Sequence, residues 1–454
     1  MKNNQILSIA VAAAIVLPST VFATNGMMPM GLGSKAKGMG GASIALPQDA
    51  VAAATNPAGM AFVGNRIDFG LEFFMPDRHS SMDGNFAMVP DANGNPVPFS
   101  TDFDDNGNND SIFYIPEGGF NMMINDRMSV GVSVVGVGGM NTNYDSIPMF
   151  NGPAGPNEAG INLEQLKIIP TLAYKFNDKH AVGIGLELGY QQFKAYGLQG
   201  FTGQGNFPIP GFPPGSTYDP QFSAAPGSLT NNGVEDSFGW GVSLGWTGKI
   251  SDQLTLGATY HSKTDMGKLD KYAGLFANEG ELDMPGWYGL GLAFNPTPQM
   301  TIAADWVHTD YSSVDSISNP LQAGNNGMDM FNPTNYLGTA NGSGFGWDDV
   351  DTFKLGLQYA MSDTYTVRTG YSYSTNPIDS DQTMFNILAP ATIKHHISLG
   401  GTWTLNSKSE ITMFYYHAIN NKVEGNTLPA MLGGGTADIE MSQNAFGIAY
   451  GWNF

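Results

Sequence analysis

The stretch that decides the fold is the last fourteen residues, "MSQNAFGIAYGWNF" (441–454). Every second residue from the end is bulky: Phe454, Trp452, Tyr450, Ile448 and Phe446. Between them stand Asn453, Gly451, Ala449, Gly447 and Ala445. Strict alternation is the period of a β-strand with one face in an apolar medium. A soluble sheet would put Thr, Lys, Glu and Ser on the opposite face, whereas here it carries small residues. Trp and Tyr near a strand end suit a membrane interface, where the ring sits in the headgroup layer.

Composition points the same way. The chain has 454 residues, 59 of them Gly, and only 13% are charged. Soluble domains spend about 25% on charge. Mean hydropathy is −0.14, which excludes a bundle of membrane helices. The start, "MKNNQILSIAVAAAIVLPSTVFA", has Lys2, an apolar run from Ile6 to Leu17 and a small-residue site at Val21-Phe22-Ala23. It reads as a secretory signal peptide over 1–23, and the apolar run is too short to span as a helix. With no cysteine, disulfides and thiolate sites are excluded. A net charge of −21 argues against a nucleic-acid partner.

Residues 24–64 are rich in Gly and Ala with little alternation; from Arg66 onward the period is two. Short junctions use turn chemistry at Asn125-Asp126-Arg127, Asn177-Asp178-Lys179, Ser251-Asp252-Gln253, Asn295-Pro296, Ser362-Asp363-Thr364 and Asn406-Ser407-Lys408. Long polar segments separate the hairpins, and the count comes to about fourteen strands. An even number, with tight turns on one side and long loops on the other, is the pattern of a bacterial outer-membrane barrel. Val182, Ile184, Leu186, Leu188 and Tyr190 share one face, against Gly183, Gly185, Glu187 and Gly189. Phe353, Leu355, Leu357 and Tyr359 likewise oppose Lys354, Gly356 and Gln358, and Ile393, Ile397, Leu399 and Trp403 oppose Lys394, His396 and Ser398. The fold expected is an all-β transmembrane barrel over 65–454, apolar face outward, with 24–64 as a hatch in the lumen.

Within the hatch, Gly31-Leu32-Gly33, Gly40-Gly41-Ala42, Asp49-Ala50 and Asn56-Pro57-Ala58 stand just before the first strand. With the signal peptide, the strand count and the terminal Phe, the chain resembles the FadL/TodX family of outer-membrane hydrophobe transporters. The resemblance implies a monomeric fourteen-stranded barrel in the outer membrane, delivered by the outer-membrane assembly machinery. It implies a hatch that includes Gly40, Gly41, Asn56, Pro57 and Ala58, capture of ligand by extracellular loops, and sideways release into membrane lipid at a kink in the third strand. On the residues themselves, "MSVGVSVVGVGGM" (128–140) slips in parity between Val134 and Val135, next to Gly136 and Gly138, as a β-bulge would.

Two loops suit capture. "FTGQGNFPIPGFPPG" (201–215) offers Phe201, Phe207 and Phe212 as an exposed apolar patch, and "TDMGKLDKYAGLFANEG" (264–280) puts Leu269, Tyr272 and Phe276 at helical spacing. Inward charges expected are Lys167, Glu187, Asp305, Arg368, Lys394 and His396, with Lys167, Arg368 or Lys394 available to a ligand carboxylate or to an ion-pair network. "DFDDNGNND" (102–110) has an EF-hand-like start but Phe113 at the twelfth place, and His395-His396 point to opposite faces. No metal, cofactor or catalytic arrangement is expected, so the chain is not read as an enzyme. The function expected is passive transport of a hydrophobic small molecule, a long-chain fatty acid or an aromatic hydrocarbon. The alternative is a permanently plugged surface barrel acting as an adhesin or receptor through its loops.

Overall fold

The computed structural model describes residues 25–454 except 91–95, 110, 153–157, 203–206, 209–216, 219–221, 323–328 and 429–433. The expected signal peptide, 1–23, lies outside the described residues. Fourteen antiparallel strands form one closed ring. They are β1 (Arg66–Asp83), β2 (Phe113–Asn125), β3 (Met128–Tyr144), β4 (Ala159–Lys175) and β5 (His180–Tyr196). There follow β6 (Glu235–Lys249), β7 (Leu254–His261), β8 (Gly286–Thr297), β9 (Met300–Asp310) and β10 (Val350–Ala360). The last four are β11 (Tyr365–Ser374), β12 (His395–Asn406), β13 (Ser409–Val423) and β14 (Thr436–Asn453).

Each strand pairs with its sequence neighbours, and β1 closes on β14 from Arg66 opposite Asn453 to Asp83 opposite Thr436. Closure leaves no strand at an open sheet edge along its whole length, the condition for a sheet in lipid. Tight turns join one end of the ring. Asn125 Oδ1 accepts from the N–H groups of Arg127 and Met128 at 2.9 and 3.0 Å, and Asn177 and Asn406 repeat the pattern. At 18 residues, β1 and β14 are about 60 Å long, so the wall rises past the bilayer on the long-loop side.

The two faces divide as alternation requires. Leu188, Leu290, Leu355, Leu399 and Ile448 are exposed to the outside, while Gly183, Glu187, Asp305 and Gln443 are buried toward the lumen. The chain end joins the outer belt: the Phe454 ring stacks on Phe120 at 5.9 Å and its N–H donates to the Asn65 carbonyl. The third hairpin face needs correction. β12 begins at His395, so Ile393 and Lys394 precede the strand, and Ile393 is buried beside Ala418 and Met441 instead of facing out.

Candidate functional site

The N-terminal segment, Asn25–Asn65, lies within the ring of strands. Its only regular helix is the single turn α1 (Ser34–Lys37), whose lysines are both buried. Lys35 pairs with Glu410 of β13 at 2.5 Å, and Lys37 pairs with Glu72 of β1 and reaches Glu117 of β2 at 3.6 Å. Glu117 also accepts from the Ser34 N–H at 2.8 Å. Arg66 ties Asp68 to Glu410, completing a charged network on the wall. Across the lumen, Asp305 Oδ2 accepts from the N–H groups of Ser43 and Ile44 at 2.7 and 3.0 Å. No single strand supplies this network; only ring closure brings β1, β2 and β13 around one turn of chain.

The residues singled out in this segment are the ones its close packing requires. Gly41 has φ +83°, and a Cβ there would stand 2.0 Å from the Met30 carbonyl oxygen. Gly40 donates its N–H to Ser398 Oγ of β12 at 2.8 Å. On the wall opposite, a Cβ at Gly370 would lie 2.1 Å from the Gly40 nitrogen, so the strand must be bare where the segment crosses it. Asn56 caps the 3₁₀ turn that starts at Pro57, accepting from the Ala58 N–H at 3.1 Å. Its Nδ2 donates to the Ile44 and Trp246 carbonyls, stapling the turn to itself and to β6. Burial, then the neighbouring Asp68 carboxylate, pushes the Asp49 carboxyl up to about 7.

The ladder between β2 and β3 has a gap. β2 and β3 pair from Asn125 opposite Met128 only as far as Glu117 opposite Val135. Above that pair, β3 continues to Tyr144 against β4 alone. The ladder to β4 shifts between Gly136 and Gly138, so Val137 is the extra residue of a bulge. The slip expected between Val134 and Val135 therefore falls at Val137, a place that the run Gly136-Val137-Gly138-Gly139 hides because glycine carries no parity. The residue after the last pair on β2 is Pro116, which brings no N–H to a ladder. The proline inside "YIPEGGF" (114–120) is the signal in the sequence for this gap. The N-terminal segment reaches the bulge: the Gly139 N–H donates to the Met27 carbonyl at 3.3 Å, and Val135 and Val137 pack with Val51, Ala54 and Ile169.

Above the segment, the long connections fold inward over the barrel mouth. Phe201, Leu269, Tyr272 and Phe276 are buried, not exposed as expected for a capture patch. Phe201 meets Phe150, Phe222 and Phe385, and Phe193 meets Tyr272 and Phe276 at 4.8 and 4.7 Å. The helical spacing expected over 269–276 resolves into a 3₁₀ turn at Asp270–Tyr272 and a four-residue turn at Ala277–Gly280 with Asn278 and Glu279 at positive φ. Phe212 lies outside the described residues, and so does the side chain of Phe207. What these loops line is a partly open apolar cavity of about 40 Å³, walled by Ile161, Phe193, Leu198, Phe276, Phe345 and Leu388 among others. A second recess below it is lined by Met28, Leu32, Trp287, Val307, Asp305 and Lys354.

Two of the three cations proposed for a ligand are occupied. Lys167 pairs with Glu187 at 2.6 Å, and Glu187 also bonds His261. Arg368 donates to Gln358, Thr402 and Gln48 at 2.8, 2.6 and 3.1 Å. Lys394 is half-buried ahead of β12. The Nζ of Lys354, opposite Asp305 in register, makes no hydrogen bond or ion pair among the described residues. Beside it in the same lumenal row come Ser372 and His396, both buried, with Ser372 Oγ and both His396 ring nitrogens unpartnered. In the 102–105 stretch the carboxylates serve the loop itself: Asp102 accepts from the Asn85 N–H, Asp104 bonds His79, and Asp105 accepts from the Asp145 N–H. His395 bonds Tyr371 Oη, on the opposite face from His396.

Residues 9–454 match a family model described as outer membrane protein transport protein (OMPP1/FadL/TodX). The long-chain fatty acid transport protein of Escherichia coli K12 is 25% identical over 350 residues, covering 68% of this chain and 72% of that one. The protein of the same name from Salmonella typhi is 22% identical over 450 residues, 92% of each chain. Among solved structures, a Pseudomonas aeruginosa FadL homologue superposes with a TM-score of 0.66 at 20% identity over 94% of this chain and 100% of its own. The toluene transporter TodX of Pseudomonas putida gives 0.62 at 19% identity, over 95% and 100%. At that identity the two structures speak for the fold.

Proposed function

The chain belongs to the OMPP1/FadL/TodX family of outer-membrane transport proteins, and from that premise we propose that it carries hydrophobic small molecules passively across the outer membrane and releases them sideways into it. The observation that carries this reading is the gap between β2 and β3, which opens the wall beside a lumen the N-terminal segment obstructs. A ligand enters the apolar cavity under the loops, descends past the recess at Trp287 and Lys354, and leaves over Val135–Gly139 into lipid. Val134, Val135, Gly136 and Gly138 then act as the gate, and Gly40, Gly41, Asn56, Pro57 and Ala58 as parts of the hatch.

Related proteins carry names that specify long-chain fatty acids or toluene, and both classes fit an apolar route. For a carboxylate-bearing ligand, Lys354 is the better partner than Lys167 or Arg368, since those two already hold their donors in bonds. Burying an alkyl chain gains about 0.8 kcal/mol per CH₂, so release needs the site to deform, which the polar seating of the hatch permits. An adhesin or receptor role draws no support here, because Phe201, Leu269, Tyr272 and Phe276 are buried instead of exposed to a partner. The test is uptake of labelled dodecanoate and of toluene by cells without their own uptake system. Uptake of either above the empty-cell background supports the reading and names the class; background uptake of both by correctly inserted protein sinks it.

A further inference from the structure

Two side chains of β1 cross the upper end of the wall gap to β3: Ser80, whose Oγ bonds Tyr144 Oη at 2.9 Å, and Arg78. Arg78 of β1 is 1% exposed. Its Nη1 donates to the carbonyl and to the Oδ1 of Asn141 on β3, at 2.7 and 2.8 Å. Its Nε and its backbone N–H both donate to Asn108 Oδ1 at 3.0 Å. The guanidinium carbon lies 5.9 Å from the centre of the Phe113 ring, at the upper end of β2.

Asn108 bonds both shores as well. Its Nδ2 donates to Asp77 Oδ1 on β1 at 2.6 Å, and its backbone bridges to Asn143 on β3. The Asn143 N–H donates to the Gly107 carbonyl at 3.1 Å, and the Asn109 N–H returns to the Asn143 carbonyl at 3.3 Å. Below these bonds, nothing in the sheet ladder ties β3 to β2 until Glu117 meets Val135. The gap is therefore a window with a fixed sill at Glu117 and Val135 and a lintel made of side-chain and loop bonds.

We propose that Arg78 is the clasp that sets the height of this window, and with it the girth of the molecule that leaves. The inference rests on the sideways-release reading above. A ladder is held by many cooperative bonds; a lintel of a few charge-assisted bonds opens at far lower cost. Arginine suits the place because its planar fork takes the carbonyl and the side-chain oxygen of Asn141 while Nε serves Asn108, a set that lysine cannot copy. The Arg78 bonds act beside the Ser80–Tyr144 bond in holding β3 toward β1, so their loss loosens the upper half of β3 and admits wider molecules.

The chain has no cysteine and one clasp arginine, so the test uses full-length protein and the single substitution Arg78→Gln. Two readouts are taken. Backbone amide exchange is followed at 107–109 and 141–145, with β10–β12 as internal reference. Uptake of a pyrene-tipped dodecanoate is measured relative to plain dodecanoate. The clasp predicts faster exchange in those two segments alone and a bulky-to-slim uptake ratio raised by about tenfold, the effect of losing charge-assisted bonds from a two-state element. Arg78→Lys should fall between the two. Unchanged exchange at 107–109 and 141–145 overturns the clasp. Faster exchange with an unchanged ratio shows that Arg78 holds the loop but does not set selectivity, which overturns it too. If the native protein moves neither probe, the sideways-release reading itself fails, and this inference falls with it.

Discussion

The lower and upper halves of the lumen are packed by opposite means. Below, the N-terminal segment is held by buried charges and amides: Lys35, Lys37 and Asn56 each bond a different part of the wall, and Asp305 of the wall accepts from the Ser43 N–H. Above, the loops are held by Phe193, Phe201, Phe276, Trp347 and Phe385 in one apolar cluster. Apolar packing excludes water and is not directional. Charged seating is specific in register, and each bond has a hydrated alternative once water enters. The same molecule thus sets an apolar loop cluster over a polar-seated N-terminal segment.

The first way to break this contrast is to remove one partner of the lower network. Lys37→Ala leaves Glu72 and Glu117 buried without their cation, which should cost about 3–5 kcal/mol and lower the urea midpoint of the liposome-inserted barrel. Adding Glu72→Gln to that variant should return part of the loss. The upper half answers differently: Trp347→Ala, at a side chain 2% exposed, should cost about 3–4 kcal/mol through the cavity left behind, and no second substitution of a charge will restore it. Asn56→Ala removes the cap at Ala58 and both carbonyl contacts, an expected loss of about 1–3 kcal/mol confined to the N-terminal segment. Protease nicking near residue 56 at an unchanged midpoint for the barrel would show that separation.

The smallest effect concerns pH. The Asp49 carboxyl is raised in the seated segment to about 7 from an ordinary 3.8, so its seating is favoured while protonated. That contribution is complete below about pH 4 and is lost as pH rises toward 7. A spin label at Ala52 should be more mobile at pH 8 than at pH 5, and Asp49→Asn should remove the difference. Equal mobility at both pH values in the native protein would contradict the assignment.

Much of the barrel was legible because its rules are local. Alternation in 181–190 and 353–359 placed each face, and Asn125, Asn177 and Asn406 marked turns that their side chains do close. What stayed hidden depends on closure or on distant contacts. Glu72, Glu117 and Glu410 give no sign in sequence that they converge on the "SKAK" turn, since they stand on three strands that meet only around the ring. The loop aromatics looked exposed because their partners are remote: Phe201 packs on Phe385, 184 positions along the chain. Parity located the third-strand irregularity only to within a few residues, because Gly136, Gly138 and Gly139 carry no side chain to mark a face.

The central claim is that ligand leaves through the wall where β3 bulges. Its most direct test is dodecanoate uptake by cells expressing either the native chain or one lacking Val137, the extra residue, whose removal leaves every later pair with β4 in register. The account predicts uptake by the native chain and its loss in the deletion, with insertion and heat resistance of the barrel intact. Equal uptake by an inserted deletion variant would place the exit elsewhere and contradict it.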